Sequence, residues 1–419
     1  MTKIRSIICI AIIAILALAI PHYSLAQEDK DSTSILRLHG LVQTDIQMGQ
    51  EESILGVGKP NQAKESTFYR AGLRRGLFSV EAVHPTLKGW SAVGTIDITE
   101  RGVLPFQAHL KYRRSFFLDD EDEIPIEVEG RTGLDIVNFG LEASEPLSAR
   151  LSPEASPYLS NIFPDMVDLG IGGVCRIRFG GYTPEYLGHT IGIGAYALSG
   201  NGLGEMRKNR PDILLNLRHQ MSNIYLDILY GGSYYVGSVP QSSDQGRDVR
   251  RNYLSLFARI GFSTELGYTR LSGEYVFGNH PGKRKNPTVV GKNIEDESYY
   301  DGQRIFSREF RGVMGELSHR LYTIPIALLY KFTHYDKRHL ISGDKELWQL
   351  YLDQLVASPE ADGRESIHGI GAQLFLFKDN LRLTAFYEIK ESRRVPNPQH
   401  KLYKDPQDNT LTLRIQYSF

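Results

Sequence analysis

The sequence predicts an all-β fold, a transmembrane antiparallel β-barrel of about 16 strands. Three observations predict it: long segments in which apolar and polar residues alternate, connections that alternate between short and long, and a final amphipathic segment that ends on an aromatic residue. In segment 35–48 every second position is apolar or small, and the residues between are mostly polar. A strand places these two sets on opposite faces, whereas a helix would spread the polar residues around its circumference.

The amino terminus has the features of a secretion signal. Basic residues precede an apolar run at 7–20, and 24–26 supplies small residues at the positions that a signal peptidase inspects. A membrane anchor is the alternative, but about 14 apolar residues form only roughly 20 Å of helix, less than the ~30 Å hydrocarbon core. We therefore predict a signal peptide at 1–26, a flexible lead-in at 27–34 and the barrel at 35–419.

Composition narrows the class of protein further. Beyond the predicted signal the sequence has one cysteine, Cys175, so the chain cannot form an internal disulfide. The 40 glycines, 23 tyrosines and 18 phenylalanines suit a barrel, in which glycine permits bends and aromatic residues lie at the membrane interfaces. A formal net charge of −1 gives no general attraction to nucleic acid, and we predict no nucleic-acid partner.

Further alternating runs follow the first, each about as long as a strand that crosses a bilayer at a ~45° tilt. They lie at 90–99, 106–113, 124–130, 175–179, 224–230, 254–262, 324–333 and 381–390. Two other segments, 67–83 and 264–278, alternate poorly, but they are included in the count of about 16 strands. We expect an even number of strands, because both chain ends should meet on the periplasmic side to close the sheet.

The connections distinguish a barrel from a β-sandwich, which also alternates. Sandwich strands average about 5–6 residues and are evenly spaced. Here tight turns are predicted at 221–222, 263–264 and 378–380. The long polar insertions lie at 50–66, 279–306 and 335–365, and 344–355 has the spacing of a short helix. Short turns at one end and long loops at the other are typical of outer-membrane barrels.

The last segment strengthens this interpretation. Apolar residues alternate with polar ones from Leu411 to Phe419, where the sequence given stops. An aromatic residue closing an amphipathic strand resembles the signal by which the outer-membrane assembly machinery recognises barrels. We therefore predict that Phe419 is an assembly signal. We also predict that the barrel lies in the Gram-negative cell outer membrane, in contact with its lipid.

Residues 35–202 resemble a known family. Phe-Gly-Leu-Glu at 139–142 leads into a stretch rich in Ser and Pro, Val-Asp-Leu-Gly follows at 167–170, and Phe-Tyr-Arg-Ala-Gly-Leu stands at 68–73. This order resembles the phosphate-selective porin O and P family, although Val167 stands where the family commonly has Arg. The resemblance implies a 16-stranded barrel, a homotrimer, a constriction loop at 139–168, and passive diffusion of small hydrophilic solutes or ions, including anions such as phosphate.

If the apolar phase faces lipid, the other phase lines water. The basic residues of that phase are Arg37, Lys111, Arg113, Arg176, Arg178, Arg259, Lys331, Arg382, Lys390 and Arg414. The acidic ones are fewer: Asp45, Asp97, Glu127, Glu129, Asp227 and Glu388. A basic wall favours anions. The alternative is that each is a solvated residue without a role in selectivity.

The implied constriction loop has the opposite sign. Its charged residues are Glu142, Glu145, Glu154, Asp165 and Asp168, with Arg150 as the one base among them. Carboxylates facing arginines across a narrow passage would create a transverse field.

Motifs for other chemistry are missing from the sequence. It contains no G-x-S-x-G elbow, no H-E-x-x-H and no P-loop, and its histidines are scattered without ligand spacing. We predict no enzymatic activity, no cofactor and no metal. A barrel enzyme with a site at its outer rim, and a plugged binding or structural barrel, remain as alternatives.

Overall fold

The computed structural model describes most of the segments predicted to form strands. The described residues are 36–50, 69–100, 102–117, 124–180, 185–202, 210–239, 249–280, 308–341, 364–392 and 408–419. The predicted signal peptide (1–26), the lead-in (27–34) and the predicted helix at 344–355 lie outside them. Most of the three long polar insertions also lies outside them, but 279–280, 335–341 and 364–365 form strand, so those insertions are shorter than predicted.

Sixteen strands form one closed antiparallel barrel, in which each strand pairs with its neighbours in sequence and β1 pairs with β16. The strands are β1 (Leu36–Gly49), β2 (Tyr69–Val83), β3 (Trp90–Thr99), β4 (Gly102–Phe117), β5 (Pro125–Ile136), β6 (Val167–Gly180), β7 (Gly188–Leu198), β8 (Asp212–Ser222), β9 (Leu226–Val239), β10 (Val249–Ser263), β11 (Gly267–His280), β12 (Arg308–Leu321), β13 (Ile326–Ile341), β14 (Arg364–Leu376), β15 (Leu381–Ser392) and β16 (Thr410–Ser418). The prediction of a 16-stranded antiparallel barrel is confirmed.

A short helix, α1 (Pro157–Ile162), lies in the connection between β5 and β6. No helix in the described part of the chain is both long enough and apolar enough to cross a membrane.

The two faces of the strands divide as the alternation predicts. On β1, the side chains of Gln43, Asp45 and Gln47 are buried inside the barrel, and Gln43 donates to Gln416 across the closing strand pair at 2.7 Å. Thr44 and Ile46, between them, lie on the opposite face of the strand and are less buried. On β16, likewise, Ile415 is exposed whereas its neighbour Arg414 is buried. Polar groups can be buried in the lumen because they bond to one another there.

Connections of unequal length mark the two ends of the barrel. The connections 223–225, 264–266, 322–325 and 377–380 lie at the end that also holds Phe419, which we call the terminal end. The longest connections lie at the opposite end, which we call the loop end, although only 100–101 join β3 to β4 there.

The predicted turns at 263–264 and 378–380 lie within a residue of the observed ones, but the turn predicted at 221–222 is displaced. Met221 and Ser222 complete β8. The turn forms at 223–225, because the side-chain oxygen of Asn223 accepts hydrogen bonds from the backbone N–H groups of Tyr225 and Leu226 at 2.9 and 2.8 Å.

The weak alternation of segment 67–83 has a physical cause. Between Gln43 and Thr44 the register of β1 against β2 shifts, which is a β-bulge in β2. The bulge lets the consecutive residues Arg74 and Arg75 both reach carboxylates in the lumen, Glu154 and Asp97 respectively. A strict two-residue alternation therefore fails at this strand.

Candidate functional site

The connection between β5 and β6, residues 137–166, folds into the barrel, and we call it the inner loop. Its bounds differ by two residues at each end from the 139–168 expected, since Val167 and Asp168 already belong to β6. The apolar side chains of the inner loop pack on one side of the lumen. The loop residues are Phe139, Leu141, Tyr158, Leu159, Ile162 and Phe163, and their main partners are Leu214, Tyr235, Tyr253, Phe257, Val276, Phe310, Met314 and Tyr335.

This packing fills the lumen beside β8–β13 with an apolar core. Sequence reasoning treated the inward phase of these strands as polar and missed it. A signal was present: Tyr253 and Phe257 occupy the same phase of β10 as Ser255 and Arg259. Large apolar residues in an inward phase require a partner inside the barrel, because water cannot solvate them favourably.

Glu274 on β11 anchors the first turn of the inner loop. Its carboxylate accepts hydrogen bonds from the backbone N–H groups of Leu141 and Glu142 at 3.2 and 3.1 Å, and from the hydroxyls of Tyr158 and Ser255 at 3.2 and 2.7 Å. Gly140 precedes this turn with a φ of 66°, a conformation that favours glycine. Sequence reasoning missed Glu274, because nothing in its own strand indicates a partner so distant in sequence.

Glu142, a predicted loop residue, is bound to the wall. Its carboxylate lies 2.7 Å from Nζ of Lys331 on β13 and accepts from the backbone N–H of Ser156 at 3.0 Å. Burial raises the pKa of Glu142, whereas the positive charges of Lys331 and Arg150 lower it by a larger amount. The pKa of Glu142 therefore lies below its ordinary value. The carboxylate is therefore a structural anion inside the barrel.

Glu154 and Glu145 also contact wall bases directly. Glu154 accepts two hydrogen bonds from Arg74, at 3.1 and 2.8 Å, and lies 3.3 Å from Arg414. Burial raises the pKa of Glu154, but the positive charges of Arg74 and Arg414 outweigh it and lower the pKa to about 2. Glu145 lies 2.9 Å from Arg270.

The remaining predicted loop charges differ from one another. Asp165 is exposed. Asp168 is buried on β6, where it accepts from Ser199 at 2.5 Å and from the backbone N–H of Gly200 at 2.8 Å, so it fixes the end of β7.

Arg150 donates to the carbonyl of Glu142 at 3.2 Å, and burial lowers the pKa of Arg150. Five wall bases lie within 4.0 Å of carboxylates of the inner loop. These are Arg74, Arg259, Arg270, Lys331 and Arg414.

Five of the predicted basic wall residues lie toward the terminal end. Arg37 and Lys111 share Glu81, at 3.6 and 3.2 Å. The other three surround Glu127: Arg113 bonds to it, Arg176 lies at 2.5 Å and Arg178 at 3.9 Å. We call Arg113, Arg176 and Arg178 the arginine cluster.

Two more of the predicted wall bases, Arg382 and Arg259, lie beside the inner loop, as Lys331 and Arg414 do. Arg382 donates to the backbone carbonyls of Arg150, at 2.9 Å, and of Ser148. Arg259 lies 3.5 Å from Asp227 and 4.0 Å from Glu145. Arg382 therefore positions the loop.

A cavity of about 310 Å³ remains between the inner loop and the wall formed by strands β14–β16 and β1–β4. Its charged lining includes Arg74, Arg75, Asp97, Glu100, Arg150 and Asp165, and its apolar lining includes Leu104, Phe106, Leu147 and Met166. Arg75 lies 3.0 Å from Asp97, with its guanidinium 5.3 Å from the ring centre of Phe106. The inner loop thus fills one side of the lumen and leaves a charged cavity on the other.

Within the described residues, no group of three or more His, Cys, Asp or Glu side chains could hold a metal ion.

Comparison with known proteins gives a fold but no family. No protein-family model matches the chain, and no curated protein matches it. Among solved structures, it is similar to the outer membrane channel DcaP of Acinetobacter baumannii (13% identity, TM-score 0.52, 92% of this chain and 97% of that chain covered). It is also similar to OprB of Pseudomonas putida (10%, 0.51, 92% and 94%) and to the trimer form of the outer membrane protein OmpT of Vibrio cholerae (9%, 0.50, 92% and 99%). At these identities the likeness supports the barrel fold alone.

Proposed function

We propose that this protein is an outer-membrane porin through which small hydrophilic solutes or ions diffuse passively. The observation that carries the proposal is the charged cavity that the inner loop leaves inside a closed barrel. A barrel held only to present an outer-rim site would not need a charged cavity in its lumen. DcaP, a structural neighbour, is described as an outer membrane channel.

The outer surface supports a membrane location. Large apolar side chains are exposed around the barrel, such as Leu110, Ile171, Ile193, Leu217 and Ile370. Exposed aromatic residues ring the terminal end: Trp90, Phe117, Tyr186, Tyr225, Tyr322 and Phe377. An apolar band bordered by aromatic residues matches the surface of a barrel that lies in lipid.

The charges favour anions at the terminal end of the lumen. The arginine cluster places three guanidinium groups around Glu127, with Glu129 3.7 Å from Arg176, and Arg113 and Arg178 remain about half exposed. Rings of basic side chains select for anions. Phosphate is the anion that the resemblance to the O and P family suggests.

The test is ion conduction by the purified, detergent-folded protein in a planar bilayer with a KCl gradient. We expect stable conductance steps and a reversal potential that indicates anion preference. The double variant R113A/R178A should reduce that preference. The matched control is Arg114→Ala, because Arg114 is next to Arg113 on β4 but faces outward and contacts Phe116.

The outcomes of this experiment test the porin function, the role of the arginine cluster, phosphate as the solute and the trimer separately. A silent membrane with verified folded protein would overturn the porin and favour a plugged or enzymatic barrel. Conduction with unchanged reversal potential in R113A/R178A would overturn the role of the arginine cluster only. Block of the current by added phosphate would support phosphate as the solute. Steps in groups of three would support the homotrimer, the form in which OmpT is described.

A further inference from the structure

Two β-bulges direct side chains into the cavity beside the inner loop. The bulge in β2 brings Arg74 and Arg75 to the lumen together. A second register shift, between β3 and β4, makes Phe106 the extra residue of β4. The guanidinium of Arg75 lies 5.3 Å from the ring centre of Phe106, so the two irregular positions meet at this cavity. Bulges often re-aim side chains in this way beside functional sites.

Arg75 is held in one orientation but keeps free N–H groups. Its Nε lies 3.0 Å from a carboxylate oxygen of Asp97, and its guanidinium lies over the ring of Phe106. Within the described residues Arg75 has no other hydrogen bond or ion pair, and neither of its terminal nitrogens is buried. These two nitrogens form the edge of a guanidinium group that binds a carboxylate through two parallel hydrogen bonds.

Arg150 supplies a second available guanidinium to the same cavity. It donates to the backbone carbonyl of Glu142 at 3.2 Å and lies 3.7 Å from the sulfur of Met166. In the part of the chain that the structure describes, no carboxylate oxygen forms an ion pair with Arg150. Arg74, by contrast, is held by two hydrogen bonds to Glu154. Two of the arginines that line the cavity can therefore bind an anion.

An uncovered apolar surface adjoins these arginines. Leu104 on β4 pairs directly with Asp97 on β3, so the two side chains lie on the same, inward face of the sheet. Leu104 is nevertheless 46% exposed. Leu147 and Met166 of the inner loop also line the cavity and are partly exposed. An apolar group of a solute that covered these side chains would displace water from them, which is favourable.

The carboxylates of Glu100 and Asp165 also line the cavity. Their repulsion acts alike on all anions of the same charge, so the preference among such anions is decided by direct contacts. An anion without an apolar part contacts only the arginines. A carboxylate with an apolar group contacts the arginines and also covers Leu104.

We propose that this cavity binds small carboxylates that carry an apolar group, with Arg75 bonding the carboxylate and Leu104 contacting the apolar group. The proposal names a class of solute for the proposed porin and rests on that function. The cavity volume of about 310 Å³ lies within the range of small-molecule sites, which is ~300–1,000 Å³. Inorganic phosphate has no apolar part, so this cavity favours such carboxylates over phosphate.

The probe is benzoate, added at neutral pH to a planar bilayer that contains conducting channels. A bound solute obstructs the cavity and lowers the current. We expect benzoate to halve the current at a concentration about tenfold below that of acetate, which lacks the ring, and of benzamide, which lacks the charge. Inorganic phosphate should also block more weakly than benzoate.

Arg75→Gln should raise the half-blocking concentration of benzoate about tenfold, because charge-assisted hydrogen bonds are lost. The double variant R75Q/D97N, which leaves no unpaired Asp97, should show the same loss. Leu104→Ser should weaken block by benzoate but not by acetate. The matched controls are Arg114→Gln and Val103→Ser, because both side chains face outward, and Val103 is next to Leu104 and 61% exposed.

The outcomes separate this site from the porin function. Equal block by benzoate, acetate and benzamide in a conducting wild-type channel would overturn the site and leave the porin function standing. Block of R75Q/D97N at the wild-type concentration of benzoate would likewise overturn the assignment of Arg75. A folded protein that conducts no current would overturn the porin function and this solute class with it.

Discussion

Nζ of Lys331 lies 2.7 Å from a carboxylate oxygen of Glu142 and joins wall strand β13 to the inner loop. Lys331 also donates to the hydroxyl of Ser152 at 2.8 Å and to the carbonyl of Glu154 at 3.1 Å. Both charges are buried. A buried pair of this kind holds the inner loop on β13, because separating the two groups would leave each charge buried without solvent or a partner.

Glu142→Gln should therefore loosen the inner loop. It leaves the Lys331 ammonium buried without its counter-charge, at a cost of about 3–5 kcal/mol. We expect greater open-channel current noise and faster proteolytic cleavage within the inner loop. The double variant E142Q/K331M should recover part of the loss, because neither charge of the pair remains.

The matched control is Asp379→Asn, which breaks an exposed pair with Arg320 at the terminal end. Exposed pairs contribute about 0–1 kcal/mol, so neither noise nor cleavage should change. Equal effects of D379N and E142Q would contradict the anchoring role of the buried pair.

Much of the fold could be predicted from the sequence, because a barrel imposes a two-residue period on each strand. Segments such as 35–48 and 410–419 obey that period since one face meets lipid and the other meets water. The period fails at β2, where the bulge places Arg74 and Arg75 together in the lumen. It says nothing about which side of the lumen the inner loop occupies.

The partners in the site were less predictable. The lumen residues Glu274 and Lys331 are distant in sequence from the loop groups that they bind. The alternation of their strands predicts only that these residues face inward and are polar. Many other residues do so too, so the alternation does not show which of them contact the loop. Pairing is decided by which side of the barrel faces the loop, and that depends on the apolar contacts around Tyr253 and Phe310.

Acid should detach the inner loop from β2 and β16. The pKa of Glu154 is about 2 in the docked loop, against an ordinary value of 4.5. A lowered pKa means that the stabilisation is complete above about pH 4.5 and is lost as the pH falls toward 2. We expect current noise to be constant from pH 7 to pH 5 and to rise below pH 4.

Glu154→Gln should show higher noise at neutral pH and a smaller change in acid. Some acid response should persist in this variant, because the pKa of Glu142 is lowered as well. Glu185→Gln, in an exposed turn at the terminal end, serves as the control and should behave as wild type. A wild-type channel whose noise does not change between pH 7 and pH 2 would refute the anchoring by Glu154.

Gly312 on β12 makes room for helix α1. A Cβ added at Gly312 would lie 2.6 Å from Cγ of Tyr158, well inside van der Waals contact. Gly312→Ala should displace the helix at a cost of about 1–3 kcal/mol and alter the single-channel conductance. Gly315→Ala, three residues along the same strand, is the control, since a Cβ there meets nothing within 4 Å. Identical conductance in both variants would show that α1 does not need Gly312.

The ring of Phe419 lies against Gly40 on the outer face of β1, where a Cβ on Gly40 would overlap it. The two residues also exchange backbone hydrogen bonds at 2.9 and 3.1 Å, so the chain end closes the barrel at this point. Gly40→Val should lower the urea midpoint of unfolding, because the ring must move, by an amount equivalent to about 1–3 kcal/mol. Gly94→Val on β3, where an added Cβ meets nothing within 4 Å, should not lower it.

Phe419→Ala then separates packing from recognition by the assembly machinery. In detergent, G40V/F419A should unfold at the same urea concentration as F419A, because the overlap has been removed. In cells, F419A should fail to reach the outer membrane although the purified protein refolds. Normal insertion of F419A in cells would contradict the assembly signal, whereas a destabilised G40V/F419A in detergent would contradict the packing of the ring on Gly40.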